Sequence, residues 1–186
     1  MSFTHEKLQF PRMMLQDMSP DIRIALEPVV KRLGYLGDAF AVHAHVPASV
    51  GTFMEYTKAV KAPLPDNLNE LIALTVSHAL HAQYELIQHE RLALKLGFSK
   101  EWIAAAQARA DAEPSLLSED EKAVQTITLK IIATLGQDCE SDMTHLANRI
   151  GISQAMAVFL QCTRFLMIAV MCRAFSLTLP VPSIFE

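Results

Sequence analysis

Residues 67–97 read NLNELIALTVSHALHAQYELIQHERLALKLG, and this stretch decides the fold. Asn67 followed by Glu70 has the form of a helix-capping start, and Gly97 supplies the residue that helices favour just past their last turn. Between them no proline interrupts the chain and leucine recurs at helical spacing. The span of about 30 residues exceeds the usual helix of roughly 8 to 20. It therefore predicts one long central helix, or two collinear helices that break between His81 and Gln83.

Working outward, helix starts and stops recur and no alternating run of β-branched residues is present, so the chain is expected to be all-α, a helical bundle. Ser19-Pro20 predicts an N-cap and first turn for a helix over 21–33, ended by Gly34 and kinked at Pro28. A short helix is expected over 38–45, and another from Pro47 towards Val60. Lys61 to Pro65, with two prolines, reads as a linker between an N-terminal helical arm (1–62) and a core (63–186) of a single domain. Beyond Gly97, Ser99 caps a helix through Trp102, and Ser118-Glu-Asp-Glu121 is a capping box opening a helix to about Leu135. Ser141 starts a helix that Gly151 stops. Ser153 starts the last, to about Leu177, before the Pro180–Pro182 tail.

Apolar residues make up 51% of the 186 and charged residues 19%. That surplus of apolar surface predicts a homo-oligomer, a dimer, trimer or hexamer. A net charge of -4 without a basic stripe argues against nucleic acid. Cys139, Cys162 and Cys172 form no close-spaced pair, which suits a reducing cytoplasm, and Met1 to Phe10 lack the pattern of a secretory leader. The greasiest segment, Ala155 to Cys172, is interrupted by Gln161 and Arg164. It is therefore read as a core or interface helix and not as a membrane span.

Counting about 100° per residue, His78, His81, Glu85 and His89 fall within about 80° of one helix face. A polar patch inside an apolar stripe is the kind of pattern violation that functional sites show. Glu85 and His89 stand one turn apart, where a carboxylate and an imidazole stabilise each other's charged forms and can pass a proton. These two are the expected catalytic pair for a small-molecule substrate. His78, His81 and, one step round the helix, Tyr84 are expected to line the substrate pocket, with Glu70 nearby, although Glu70 also suits a helix cap. Neither cofactor nor metal is expected. If an ion were held, its ligands would be His81, Glu85 and His89, with His43 or His45 a further candidate, because the His-Glu-x-x-His pattern is absent.

The order Glu70, Tyr84-Glu85, His89, Gly97-Phe-Ser99 and Trp102-Ile103 resembles the signature of the carboxymuconolactone decarboxylase and alkylhydroperoxidase D (AhpD)-like family over about 35 residues. The resemblance implies an AhpD-like bundle. In the family's peroxidase branch a Cys-x-x-Cys pair ends four residues before the histidine, and a glutamate 19 residues before it completes a proton relay. Here Glu70 and His89 match, while the cysteine positions hold Ala82 and Glu85. The decarboxylase branch carries a glutamate where Glu85 stands. The resemblance thus implies cofactor-free decarboxylase or proton-transfer chemistry on a small lactone or enolisable acid. A thiol-dependent hydroperoxidase and a non-catalytic ligand-binding scaffold are the alternatives. No arginine beside the motif is in place to clamp a substrate carboxylate.

Overall fold

The computed structural model describes residues 9–186, so the reading of the extreme N-terminus as lacking a leader falls largely outside the described residues. Nine α-helices and no strand occur among them: α1 (Pro20–Leu33), α2 (Asp38–His43), α3 (Pro47–Lys61), α4 (Asp66–Ala79), α5 (Gln83–Lys95), α6 (Lys100–Ala106), α7 (Glu119–Thr134), α8 (Glu140–Ile150) and α9 (Ile152–Ala174).

Helix α4 is the axis of the molecule. Leu71, Ile72, Ala73, Leu74 and Val76 are all fully buried, because α5, α7 and α9 surround it. A helix apolar all round is what such a position requires. Helix α9 lies along it and contributes Val158, Cys162, Phe165 and Ala169 to the same core. By length and composition α9 could cross a membrane, yet more than half of that window is buried in the fold. A smaller cluster of Met18, Ile22, Leu26, Ala44 and Val50 joins α1, α2 and α3. Helix α3 also packs on α9, which brings the N-terminal residues over the core.

The long central segment is two helices. After Ala79 the His81 N–H donates to the His78 carbonyl at 3.1 Å and the Ala82 N–H to the Ser77 carbonyl at 2.8 Å. This is the paired closure of a Schellman motif. His81 takes the left-handed conformation, φ +53°, that glycine usually occupies there. The chain then turns back, and α5 packs against α4 as the second arm of a hairpin.

Several caps fall where the sequence places them. Gly34 ends α1 with φ +83°, the Ser99 hydroxyl accepts from the Trp102 N–H, and Ser118 and Glu121 form a complete capping box. Others do not. Pro65, not Asn67, stands at the N-cap of α4, and Gly151, not Ser153, at that of α9.

Candidate active site

Glu70 sits one turn into α4 and His89 two turns into α5, so folding the hairpin sets them face to face. Glu70 therefore does not cap α4. Its Oε2 meets His89 Nδ1 at 2.7 Å. On the other side of the ring, His89 Nε2 lies 3.5 Å from Glu85 Oε1. Both carboxylates are buried, and the ring edge rests on Phe165, with centroids 5.0 Å apart. Burial alone would lower the His89 pKa, but the charges and hydrogen bonds of Glu70 and Glu85 outweigh it and raise it to about 9. The imidazole is therefore a cation at neutral pH, with Nδ1–H donated to Glu70 and Nε2–H directed towards Glu85.

The three groups open on a cavity of about 170 Å³. This is close to the ~150 Å³ that accommodates a benzene ring in an engineered protein cavity. Phe40, Phe53, Met54, Leu92 and Ile168 give the cavity its apolar walls. Arg164 of α9 is the feature that sequence reading missed. It is buried, and its guanidinium lies over the Phe165 ring at 3.9 Å. A chain of amides aims it: Asn69 Nδ2 donates to the Leu64 carbonyl, Gln161 Nε2 donates to Asn69 Oδ1 at 3.0 Å, and Arg164 Nε donates to Gln161 Oε1 at 2.9 Å. Its two terminal nitrogens have no hydrogen bond and no carboxylate within ion-pair distance among the described residues. Burial lowers its pKa, and the nearby charges of Glu85 and Glu70 oppose that. The signal was present in the sequence, since Gln161 and Arg164, three apart on one face, are the two polar breaks in the greasiest run.

Tyr84 lines the cavity. Its hydroxyl accepts the Ala39 N–H at 3.3 Å, tying α2 over the site. Burial pushes its phenol far up, so it remains neutral. Gly37 makes this approach possible, because a Cβ there would stand 2.5 Å from the Tyr84 hydroxyl.

His78 and His81 are not brought to the cavity, contrary to the helical-wheel expectation. A constant 100° step holds only within one helix, and the reversal at His81 resets the phase. His78 lies half-buried on the far side, near Gln107, Arg109 and Glu90, and burial lowers its pKa. His81 is exposed. The ligand set His81, Glu85 and His89 is accordingly not assembled, and no cluster of three His, Cys, Asp or Glu suited to an ion occurs among the described residues. Of the N-terminal pair, His43 reaches the cavity wall, with its Nε2 2.8 Å from the Ser49 hydroxyl. His45 turns away to the Pro11 carbonyl. All three cysteines are buried, and burial pushes the Cys162 and Cys172 thiols up to about 12.

Residues 44–115 match the model of the Carboxymuconolactone decarboxylase family. No curated protein matches the chain in sequence. Among solved structures the chain is similar to an alkylhydroperoxidase AhpD core, an uncharacterized peroxidase-related protein from Ralstonia eutropha JMP134. That match has TM-score 0.77 and 19% identity and covers 91% of this chain and 90% of that one. The apo debrominase Bmp8 superposes with TM-score 0.78 at 15% identity over 92% of both chains. A peroxidase-related protein from Silicibacter sp. TM1040 does so with TM-score 0.73 at 14% identity over 94% of both. At these identities the structures establish the AhpD fold.

Proposed function

We propose that the chain, whose residues 44–115 match the Carboxymuconolactone decarboxylase family and whose fold is that of AhpD, is a cofactor-free proton-transfer enzyme acting on a small carboxylate-bearing lactone or enolisable acid. The observation that carries this reading is His89, held between two buried carboxylates and facing a ring-sized cavity. In this reading a substrate oxygen anion lies at the free edge of the Arg164 guanidinium, where the terminal nitrogens offer in-plane donors to a carboxylate or enolate. Thr57 also lines the cavity, and its buried Oγ1 has no hydrogen-bond partner.

Loss of carbon dioxide moves the breaking bond's electron pair into the conjugated carbonyl and leaves an enolate. Arg164 and the imidazolium stabilise that charge in a low-dielectric pocket. The proton that quenches the enolate carbon comes from the His89 Nε2–H, directly or through Glu85, while Glu70 holds the ring by Nδ1. In an isomerisation or exchange reaction Glu85 takes the substrate proton first. The peroxidase alternative lacks its thiols, since Ala82 and Glu85 occupy those positions and the thiols at Cys162 and Cys172 are buried and protonated.

The test is decarboxylation of carboxymuconolactone, followed by carbon dioxide release, together with proton exchange into the substrate in heavy water. E85Q and H89Q are expected to lower the rate by about 10²- to 10⁴-fold, the usual contribution of positioned acid and base. A variant with all three cysteines changed to serine retains it. Full activity in E85Q would overturn the reading.

A further inference from the structure

A second cleft, of about 410 Å³, opens beside the cavity on the other side of α5. Gln88 and Leu92 form the ridge between the two spaces, and Arg32, at the end of α1, lines both. The cleft has an apolar wall, to which Val181 and Ile184 of the C-terminal tail contribute, and a cationic rim of Arg32, Arg91 and Lys95 with Tyr35 among them. The wall is built, not draped. The buried Glu90 carboxylate accepts the Ser183 hydroxyl at 2.6 Å and the Ile184 N–H at 3.3 Å, and Lys100 Nζ donates to the Ile184 carbonyl at 2.6 Å.

The charge arrangement calls for a partner. In a chain of net charge -4, three cations converge with no carboxylate in ion-pair distance of any of them among the described residues. Arg91 and Lys95 stand one helical turn apart, a like-charge spacing that weakens a helix by itself. Both arginines line the cleft with Tyr35. Burial raises that phenol, and the charges of Arg91 and Arg32 act against the rise. Attraction to a helix C-terminus accounts for Arg32 and Lys95, each in the last turn of its helix, but Arg91, a turn further in, has no such reason to be there.

We propose that this cleft binds the head of an amphipathic oxyanion, a carboxylate or phosphate on an apolar stem, and that the stem crosses the Gln88–Leu92 ridge to place its other end at Glu85 and His89. The crossing rests on the functional reading above, whereas capture of the head in the cleft does not depend on it. The natural ligand is then longer than the lactone that fits the inner cavity alone.

The full chain is titrated calorimetrically with octanoate, octyl phosphate and 1-octanol. The two anions are expected to bind at least about tenfold more tightly than the alcohol, and to weaken as salt rises from about 0.05 to about 0.5 M, since exposed charges are screened. R91E/K95E is expected to cost both anions about tenfold or more. Both residues are exposed, so a thermal melt matching that of the parent protein verifies the fold. Tighter binding of octyl phosphate assigns the head as a phosphate, and tighter binding of octanoate assigns it as a carboxylate. E85Q keeps the binding even where it abolishes turnover, which separates this site from the chemistry. Equal binding of the alcohol overturns the proposal, as does anion binding indifferent to R91E/K95E but lost in R164M, which would put the head in the inner cavity.

Discussion

At the scale of single residues, the coupling of His89 to Glu70 governs both charge and stability. A histidine raised to about 9 from 6.5 binds its proton more tightly folded than unfolded. Its contribution is fully present below about pH 6.5 and is lost as pH rises through 9, with a magnitude on the order of 3 kcal/mol. Nuclear magnetic resonance titration of the His89 ring is expected to give an apparent pKa near 9, and E70Q should lower it while flattening the fall in denaturation midpoint between pH 6.5 and 9. An E70Q ring that still titrates near 9 would show that Glu70 is not the dominant partner. The pair Glu85 and His89 was legible in the sequence because one helical turn separates them and one helix holds them. Arg164 was legible only as a polar break in an apolar run, because its meeting with α5 depends on how α9 lies across α4, and no spacing along the chain encodes that.

At the scale of the element, the decisive event is the turn between α4 and α5. Sequence periodicity located the break but not its sense. The Schellman closure reverses the chain, takes His78 and His81 out of the site and brings Glu70 into it. A β-branched residue is strained at a φ of +53°, whereas glycine is at ease there. H81V is therefore expected to lower stability by about 1–2 kcal/mol, and H81G to leave it unchanged or slightly raised. Thermal unfolding measures both. A tolerated H81V would mean that the turn relaxes to another geometry. The capped helices were easier to read, since Ser99 and Ser118 act within their own first turns and need no tertiary partner.

At the scale of the whole molecule, one face of α9 remains apolar and uncovered. Ile152, Met156, Met167 and Val170 are each about half exposed or more. A stable association buries about 800 Å² on each partner, and a 23-residue helix with such a face is long enough to supply much of it. We propose that copies of the chain associate through α9. Sedimentation velocity is expected to give an oligomer at micromolar concentration that M167E/V170E dissociates, and a monomeric parent protein would refute the interface. The excess of apolar residues was a reason to expect association but could not assign the face, because α9 carries apolar residues around most of its girth and only its packing shows which side is left over.

The central position of α4 also orders events in time. Residues 44–115, which match the family model, contain α3 to α6 but none of α7, α8 or α9, and it is α7 and α9 that complete the enclosure of α4. The recognisable segment is therefore not a folding unit. While a chain is being synthesised, Leu71, Leu74 and the amide of Asn69 wait in water until Phe165 and Gln161 arrive about 90 residues later. The α4–α5 hairpin is made well before the helices that enclose it, so a nascent chain exposes its apolar side chains over that interval.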